Sequence, residues 1–550
     1  DDVESRGLGD VYKRQVPYYG KPNARVRGTK KSSGEGARRL HLHAKMSMIK
    51  EGKKGPFPAA AGPSRKAGQT GLSEYRRRPK RPPTQKELFP FMEDLLSKVK
   101  RVHFIGIGGS GMCPIAEILI HRGYQVSGSD AAESDTLKRM ETYNIPIYLG
   151  QRPENLKDAE LVVYSAAIKP DNPELAAARE RGIPCIERSV MLGMVTARYP
   201  HSVCISGTHG KTTTTGLITS VLLDAGMDPS AIIGGKLPKI GTNGRPGGHD
   251  KIVVEACEYV DTFLQLHPWM SVILDVDADH LDYFKNLDNI VKSFHQFALQ
   301  TSGWLVYNGD DANTLRAVAS IENAKLVSFG ESEGCDYRAV RIEDCKGARE
   351  AFDIERRGED LCHVELSIPG RHNIYNALAA FAVCDILGVP VETLQKSLHA
   401  FTGVHRRFEI LGKFGGITVA DDFAHHPTEL TATLSAAMHM GFHAVWAIFQ
   451  PHTYSRTAML LDGFAEALKI PDHVIVSEIL PVRETNTYNI YAEDLVKKVP
   501  GAVYRQTFPE IADYVMAHAE PGDLILTLGG GNVYECANLI VDRYKAQGKA

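Results

Sequence analysis

From residue 101 onward the chain repeats one pattern: a short apolar run, a glycine-containing turn, then a longer stretch whose apolar positions recur at helical spacing. Val102-His103-Phe104-Ile105 leads through residues 106–111 into an apolar-periodic stretch ending at His121, with Gly123 as the stop and Tyr124-Gln125-Val126 opening the next strand. Leu161-Val162-Val163-Tyr164 is followed by a helical stretch over 174–181. The pattern restarts at Val203-Cys204-Ile205-Ser206, whose helix closes near Gly226, and continues with Ile252-Val253-Val254 and Val272-Ile273-Leu274 up to Gly403. It restarts again at Arg406-Arg407-Phe408-Glu409, with strands near 444–449, 474–476 and 524–528. Alternating strands and helices predict α/β units on parallel sheets, because a helix is the usual return path between parallel strands. No period of about 20–50 residues repeats, which excludes a solenoid.

A chain of 550 residues exceeds what one hydrophobic core supports and predicts roughly three domains of about 150 residues. The expected boundaries are 92–199, 200–403 and 404–550. Charge sets the first 91 residues apart: they hold 22 Lys and Arg against 8 Asp and Glu, a balance of +14, whereas residues 92–550 hold 42 against 58, a balance of −16. Residues 1–91 are rich in Gly, Pro, Ser and Arg, lack apolar periodicity, and are read as a disordered basic extension. Within them, residues 10–15 (Asp-Val-Tyr-Lys-Arg-Gln) match an in-frame translation of a transposase mosaic-end adapter, a processing scar that has no place in the fold. No apolar run approaches the roughly 18 residues that span a bilayer; the basic head could be a nucleic-acid or membrane arm, but its composition reads as solvated disorder, and neither a membrane nor a nucleic acid is expected as partner. Nine cysteines without a CxxC pair, several in apolar runs, fit reduced core thiols of a cytoplasmic protein.

Two glycine-rich turns carry the first chemistry. Gly106-Ile107-Gly108-Gly109-Ser110-Gly111 is a G-x-G-x-x-G turn between strand and helix, with Asp130 at the end of the next strand. Small residues let backbone N–H groups approach a diphosphate at the helix N-terminus, and the acid can accept a ribose hydroxyl. Alone, this turn suggests an NAD-dependent oxidoreductase, or no more than close helix–strand packing. Gly207-Thr208-His209-Gly210-Lys211-Thr212, followed by Thr213, occupies the same place in the second unit. There, loop amides can cradle phosphate oxygens, Lys211 can offset β/γ charge, and the Thr212 hydroxyl can ligate Mg²⁺. Ile205 stands where an ordinary G-x-x-x-x-G-K-[ST] loop has glycine, which argues against a common P-loop GTPase or kinase. Mg²⁺ calls for further ligands at neighbouring strand ends. Glu255 closes one such strand; His280 follows another, although a solitary histidine there is also compatible with a structural hydrogen bond. The expected fold is α/β, with three consecutive α/β domains: a Rossmann-like N-terminal domain, a central P-loop-type ATPase domain and a Rossmann-like C-terminal domain.

Residues 370–376 (Gly-Arg-His-Asn-Ile-Tyr-Asn), 405–408 (His-Arg-Arg-Phe), 421–427 (Asp-Asp-Phe-Ala-His-His-Pro) and 449–452 (Phe-Gln-Pro-His) extend an ordered series of motifs. Over about 92–545 the series closely resembles the Mur ligase family, and within it the alanine-adding members. The resemblance implies an ATP-dependent ligase that joins L-alanine to the carboxylate of UDP-N-acetylmuramate through an acyl phosphate. It implies that Gly106, Gly108, Gly109, Gly111, Asp130 and Ser165 hold UDP rather than NAD. ATP would lie on Gly207, Thr208, His209, Gly210, Lys211, Thr212 and Thr213, with Asn373 and Asn376 at the adenine. Thr212 and Glu255 would ligate Mg²⁺, and His280 a second Mg²⁺. Arg407 and Asp422 would complete a catalytic set with Lys211, Glu255 and His280, while His425 and Arg456 would receive the amino acid. A monomer or homodimer is expected. Thr453 replaces an arginine of some alanine-adding members, which places the amino-acid carboxylate on Arg456. Phe423 replaces a common tyrosine, and the resulting Asp-Asp-Phe-Ala-His-His also looks like ligases that attach a recycled tripeptide; residues 449–457 and Arg483-Glu484-Thr485 look more like the alanine-adding branch.

Overall fold

The computed structural model describes residues 95–343, 350–482 and 484–548; the expectations for the basic segment 1–91 and for Arg483 lie outside them. Three sheets follow one another along the chain. The first has five parallel strands in the spatial order Ile147–Leu149, Gln125–Asp130, Arg101–Ile105, Leu161–Tyr164, Cys185–Glu187. Ten strands make the second sheet and six the third, so the expected three α/β units are all present.

Strands at the sheet centres are buried along their whole length, as in Leu161–Tyr164, Met270–Ile273, Val445–Phe449 and Leu524–Leu528. Near-continuous Val, Ile and Leu is what a parallel sheet covered by helices on both faces requires. Such strands end together, and this positions the site. His201–Ser206 runs parallel to Lys251–Glu255 on one side, with Ile205 opposite Glu255, and to Met270–Ile273 on the other, with Ser206 opposite Ile273. The loops that leave these three strands therefore emerge side by side at the C-terminal edge, where α/β sheets bind ligands.

The two larger sheets also carry antiparallel strands at their margins. Tyr337–Glu343, Glu350–Arg356 and Glu359–Leu366 form an antiparallel arm on the central sheet, Thr242–Arg245 pairs antiparallel with Ser230–Leu237, and Glu409–Phe414 pairs antiparallel with Ile417–Asp422. These strands follow each other too closely for a crossover helix. One connection is the two-residue turn Arg357-Gly358, at φ 54° and 81°, the backbone that matches hairpin twist. Among the described residues no helix is long and apolar enough to cross a membrane, and the eight described cysteines are free.

Candidate active site

The loop after Ser206 turns into helix Lys211–Asp224 through two positions that only glycine fills. Gly207 has φ 147°, and a Cβ there would stand 2.8 Å from Leu274 Cβ; Gly210 has φ 79°, and a Cβ there would collide with Asn376 Oδ1. No side chain caps this helix, so its first N–H groups stay available to an anion at the positive end of the helix dipole. Lys211 folds back over the loop, donating from Nζ to Gly207 O at 2.5 Å and Thr208 O at 3.0 Å, and pairs with Glu258 Oε2 at 2.9 Å. Burial opposes its charge, but nearby carboxylates, Glu258 foremost, outweigh burial and raise the Lys211 pKa.

Glu255 points from its strand end to Gly234, whose N–H it accepts at 2.8 Å. His280 sits at φ 52° just before Leu281–Phe284, with Nε2 3.6 Å from Asp279 Oδ2 and 3.9 Å from Glu258 Oε1. Burial, the largest influence, lowers its pKa and favours the neutral ring that a metal ligand requires. A hydroxyl, a carboxylate and an imidazole suit Mg²⁺ by the chemistry of their donors, but among the described residues the three whose ligand atoms lie within 4.8 Å of one another are His209, Asp277 and His426.

The third unit closes on this loop. Arg407 Nη2 donates to Thr212 Oγ1 at 3.4 Å, Thr428 Oγ1 donates to Asp277 Oδ2 at 2.9 Å, and His209 Nδ1 meets Glu429 Oε1 at 3.2 Å. Burial disfavours a charged His209, yet Asp275, Asp277 and Glu429 together raise its pKa well above the usual value. Asp422 is buried and accepts N–H bonds from Phe408 and Ala424, each at 2.7 Å. Burial raises its pKa to about 6 against the opposing pull of Arg407. Between the two units lies a cleft of about 260 Å³ lined by His209, Gly210, Thr213, Asn373, Asn376, Arg407 and Asp422 among others. Its floor is a chain of side-chain bonds: Thr214 Oγ1 donates to Asn376 Oδ1 at 3.1 Å, Asn376 Nδ2 to Asn373 Oδ1 at 2.9 Å, and Asn373 Nδ2 to Pro369 O at 2.7 Å.

Arg456 and His425 sit a short step away. Arg456 Nη2 donates to Asp279 Oδ1 at 3.1 Å and Nη1 contacts His452 Nδ1 at 3.3 Å; His425 Nδ1 lies 2.9 Å from Phe423 O. Arg456 is thus already paired with an acid, a partner the sequence reading did not foresee. Asp279 links the two groups of residues, since it also lies beside His280. Thr453, where an arginine was noted in related motifs, instead caps helix Tyr454–Met459 by accepting from Arg456 N.

The turn at 106–111 contributes no residue to the cleft. Gly106 lies against Ser165, and Asp130 accepts from Gly108 N at 2.9 Å and Ala131 N at 2.7 Å, so its carboxylate braces the turn. Asn243 Nδ2, from the central sheet, donates to Ser110 O at 2.9 Å. A residue not foreseen here is Arg188, whose guanidinium lies so close to Gly111 that a Cβ on that glycine would meet Nη1 at 2.9 Å. Glu258, Asp279 and Glu429 were missed as well. Their only signal was an acid within a few residues of an expected ligand, which solvated surface acids share.

A phosphate loop with its lysine and threonine, a strand-end carboxylate, and an arginine and aspartate supplied by a following α/β unit define a nucleotide-using enzyme of three domains. Three family models match the chain in order: "Mur ligase family, catalytic domain" over residues 101–200, "Mur ligase middle domain" over 205–384, and "Mur ligase, glutamate ligase domain" over 406–531. The chain belongs to the Mur ligase family. It is 44% identical over 452 residues to the UDP-N-acetylmuramate--L-alanine ligase of Acetivibrio thermocellus, covering 81% of this chain and 96% of that one. The crystal structure of a UDP-N-acetylmuramate-alanine ligase from Thermotoga maritima matches with a TM-score of 0.69 at 27% identity, over 81% of this chain and 99% of that one. A murein peptide ligase from Psychrobacter arcticus shares the fold with a TM-score of 0.62 at 24% identity, over 81% and 99%. The resemblance read from the ordered motifs is borne out, and the family is one of ligases rather than oxidoreductases.

Proposed function

We propose that this chain is an ATP-dependent ligase that joins L-alanine to the carboxylate of UDP-N-acetylmuramate. The observation that carries the reading is the likeness to UDP-N-acetylmuramate--L-alanine ligases over 81% of the chain, and the 3.4 Å approach of Arg407 to Thr212, which brings the third unit onto the phosphate loop, supports it. A carboxylate at neutral pH does not condense with an amine, so it must first gain a leaving group. The muramyl carboxylate oxygen attacks the γ-phosphorus of ATP, the bond to ADP breaks, and an acyl phosphate forms. The alanine amine then attacks the acyl carbon, loses a proton, and expels phosphate.

Lys211 and Arg407 offset the charge that gathers where carboxylate meets triphosphate. Thr212 and Glu255 would hold Mg²⁺ and His280 a second Mg²⁺, which supply further neutralisation when bound. Asn373 and Asn376 offer the adenine a buried polar floor; Asp422 fixes the backbone beside Arg407 through its bonds to Phe408 and Ala424. Gly106, Gly108, Gly109, Gly111, Asp130 and Ser165 form the turn for the UDP moiety, with His425 and Arg456 at the amino acid. The route needs no enzyme nucleophile, in keeping with Cys257, the thiol beside this site, whose pKa burial pushes up to about 12. In this reading the enzyme works in the cytoplasm on small molecules, without membrane or nucleic-acid partners, as a monomer or homodimer. The test uses UDP-N-acetylmuramate labelled with ¹⁸O in its carboxylate: one labelled oxygen should leave in the released phosphate. Unlabelled phosphate would remove the acyl phosphate from the mechanism.

A further inference from the structure

Glu258 has no part in the roles set out above, yet it is buried, at 2% exposure. Its two oxygens lie 2.9 and 3.2 Å from Lys211 Nζ, and Oε1 lies 3.9 Å from His280 Nε2. It thus stands between the lysine of the phosphate loop and a proposed metal ligand. The backbone just after it is held in an unusual form. Val260 and Asp261 sit consecutively in the left-handed region, at φ 54° and 58°, a conformation that a β-branched residue rarely adopts. Surrounding bonds impose it: Asp261 accepts from the Tyr283 hydroxyl at 2.6 Å and from the Ser293 hydroxyl, and Cys257 O accepts from Phe263 N at 3.0 Å and Thr262 Oγ1 at 2.8 Å. Strain maintained in this way concentrates where a side chain must be placed for function.

A buried carboxylate that loses its cation must find another or take up a proton. Under the ATP reading given above, on which this inference rests, Lys211 must turn to the triphosphate, and Glu258 then loses its partner. The imidazole of His280 lies near the same carboxylate, 3.9 Å from Oε1, and a divalent cation held between the two would restore the balance. We propose that Glu258 is a positioning residue that exchanges partners: it holds Lys211 before nucleotide arrives and, once ATP has drawn Lys211 away, ligates a second divalent ion together with His280. Nucleotide and second metal therefore bind cooperatively.

The full chain can be titrated with Mn²⁺, followed by electron paramagnetic resonance, with and without a non-hydrolysable ATP analogue. The wild type should take up two Mn²⁺ per chain with the analogue, the second at least about tenfold more tightly than without it. Glu258→Gln should keep the analogue and the first ion but lose about tenfold or more in affinity for the second, and His280→Ala should lose the same ion. Should Glu258→Gln fail to fold, Glu258→Asp carries the same test, since a carboxylate one methylene shorter must also weaken the second ion. Wild-type affinity for both ions in the Glu258 variants would overturn the inference. A wild-type chain that binds the analogue with a single ion would overturn it too, whereas one that binds no analogue at all would bring down the ATP reading beneath it.

Discussion

The guanidinium of Arg407 reaches Thr212, 195 positions earlier in the chain, at 3.4 Å from the hydroxyl. Neither residue's own unit contains the other, so the contact exists only when the third unit sits on the central one. Arg407→Ala should lower kcat by about two to three orders of magnitude, the scale of losing one charge aimed at a developing transition state. Arg407→Lys should recover only part of it, because an ammonium lacks the planar fork. Steady-state kinetics with saturating substrates checks both; a near-native Arg407→Ala enzyme would mean the closed arrangement plays no part in turnover.

Lys211→Ala and Glu255→Ala should each reduce kcat by orders of magnitude, single electrostatic contacts of this kind being worth about 3–4 kcal/mol. Their effects on stability should differ. Removing Lys211 strands the buried Glu258 carboxylate, a loss on the order of 3–5 kcal/mol, whereas Glu255 leaves no such orphan. Chemical denaturation separates them, and a Lys211→Met, Glu258→Gln double variant should regain most of the lost stability without regaining activity.

Arg456→Ala should raise KM for L-alanine far more than KM for ATP, because Thr453 brings no charge and Arg456 is the guanidinium paired with Asp279. The existing pair with Asp279 adds a second expectation. Asp279→Asn frees the guanidinium and should lower KM for alanine or leave it unchanged, at the expense of stability. An unchanged alanine KM in Arg456→Ala would place the carboxylate elsewhere.

Asp422 ties stability to pH in a direction opposite to most acids. Burial raises its pKa from the usual 3.8 to about 6, so between these values the folded chain binds more protons than the unfolded one. The stabilisation is fully present below about pH 3.8 and is lost as pH rises through about 6. Urea unfolding of the ligand-free protein should show wild type losing up to about 3 kcal/mol relative to Asp422→Asn over that interval. Parallel curves for the two proteins would show that Asp422 is not held neutral by burial.

Much of this arrangement was legible from local pattern, because α/β units announce themselves by apolar runs, turn glycines and helical spacing. The phosphate loop, Glu255 and His280 fall at strand ends that those runs already marked. Harder to read were relationships that depend on register and docking. Nothing in Glu255-Ala-Cys-Glu258 distinguishes the carboxylate that meets Lys211 from the one that meets Gly234; the left-handed turn at Val260 and Asp261 decides it. Arg456 and Asp279 lie 177 residues apart, and only the seating of the third unit pairs them. The antiparallel arm over 337–366 was passed over because hairpin strands on the rim of a parallel sheet lack the helical spacer that made the other strands countable.

The most direct test measures phosphate release while omitting one component at a time and exchanging the amino substrate. Release is expected only when UDP-N-acetylmuramate, L-alanine, ATP and Mg²⁺ are all present, with the tripeptide L-Ala-γ-D-Glu-meso-diaminopimelate a poor replacement for alanine. Equal turnover with the tripeptide would contradict the alanine assignment in favour of peptide recycling, and sustained release without the sugar nucleotide would contradict the condensation itself.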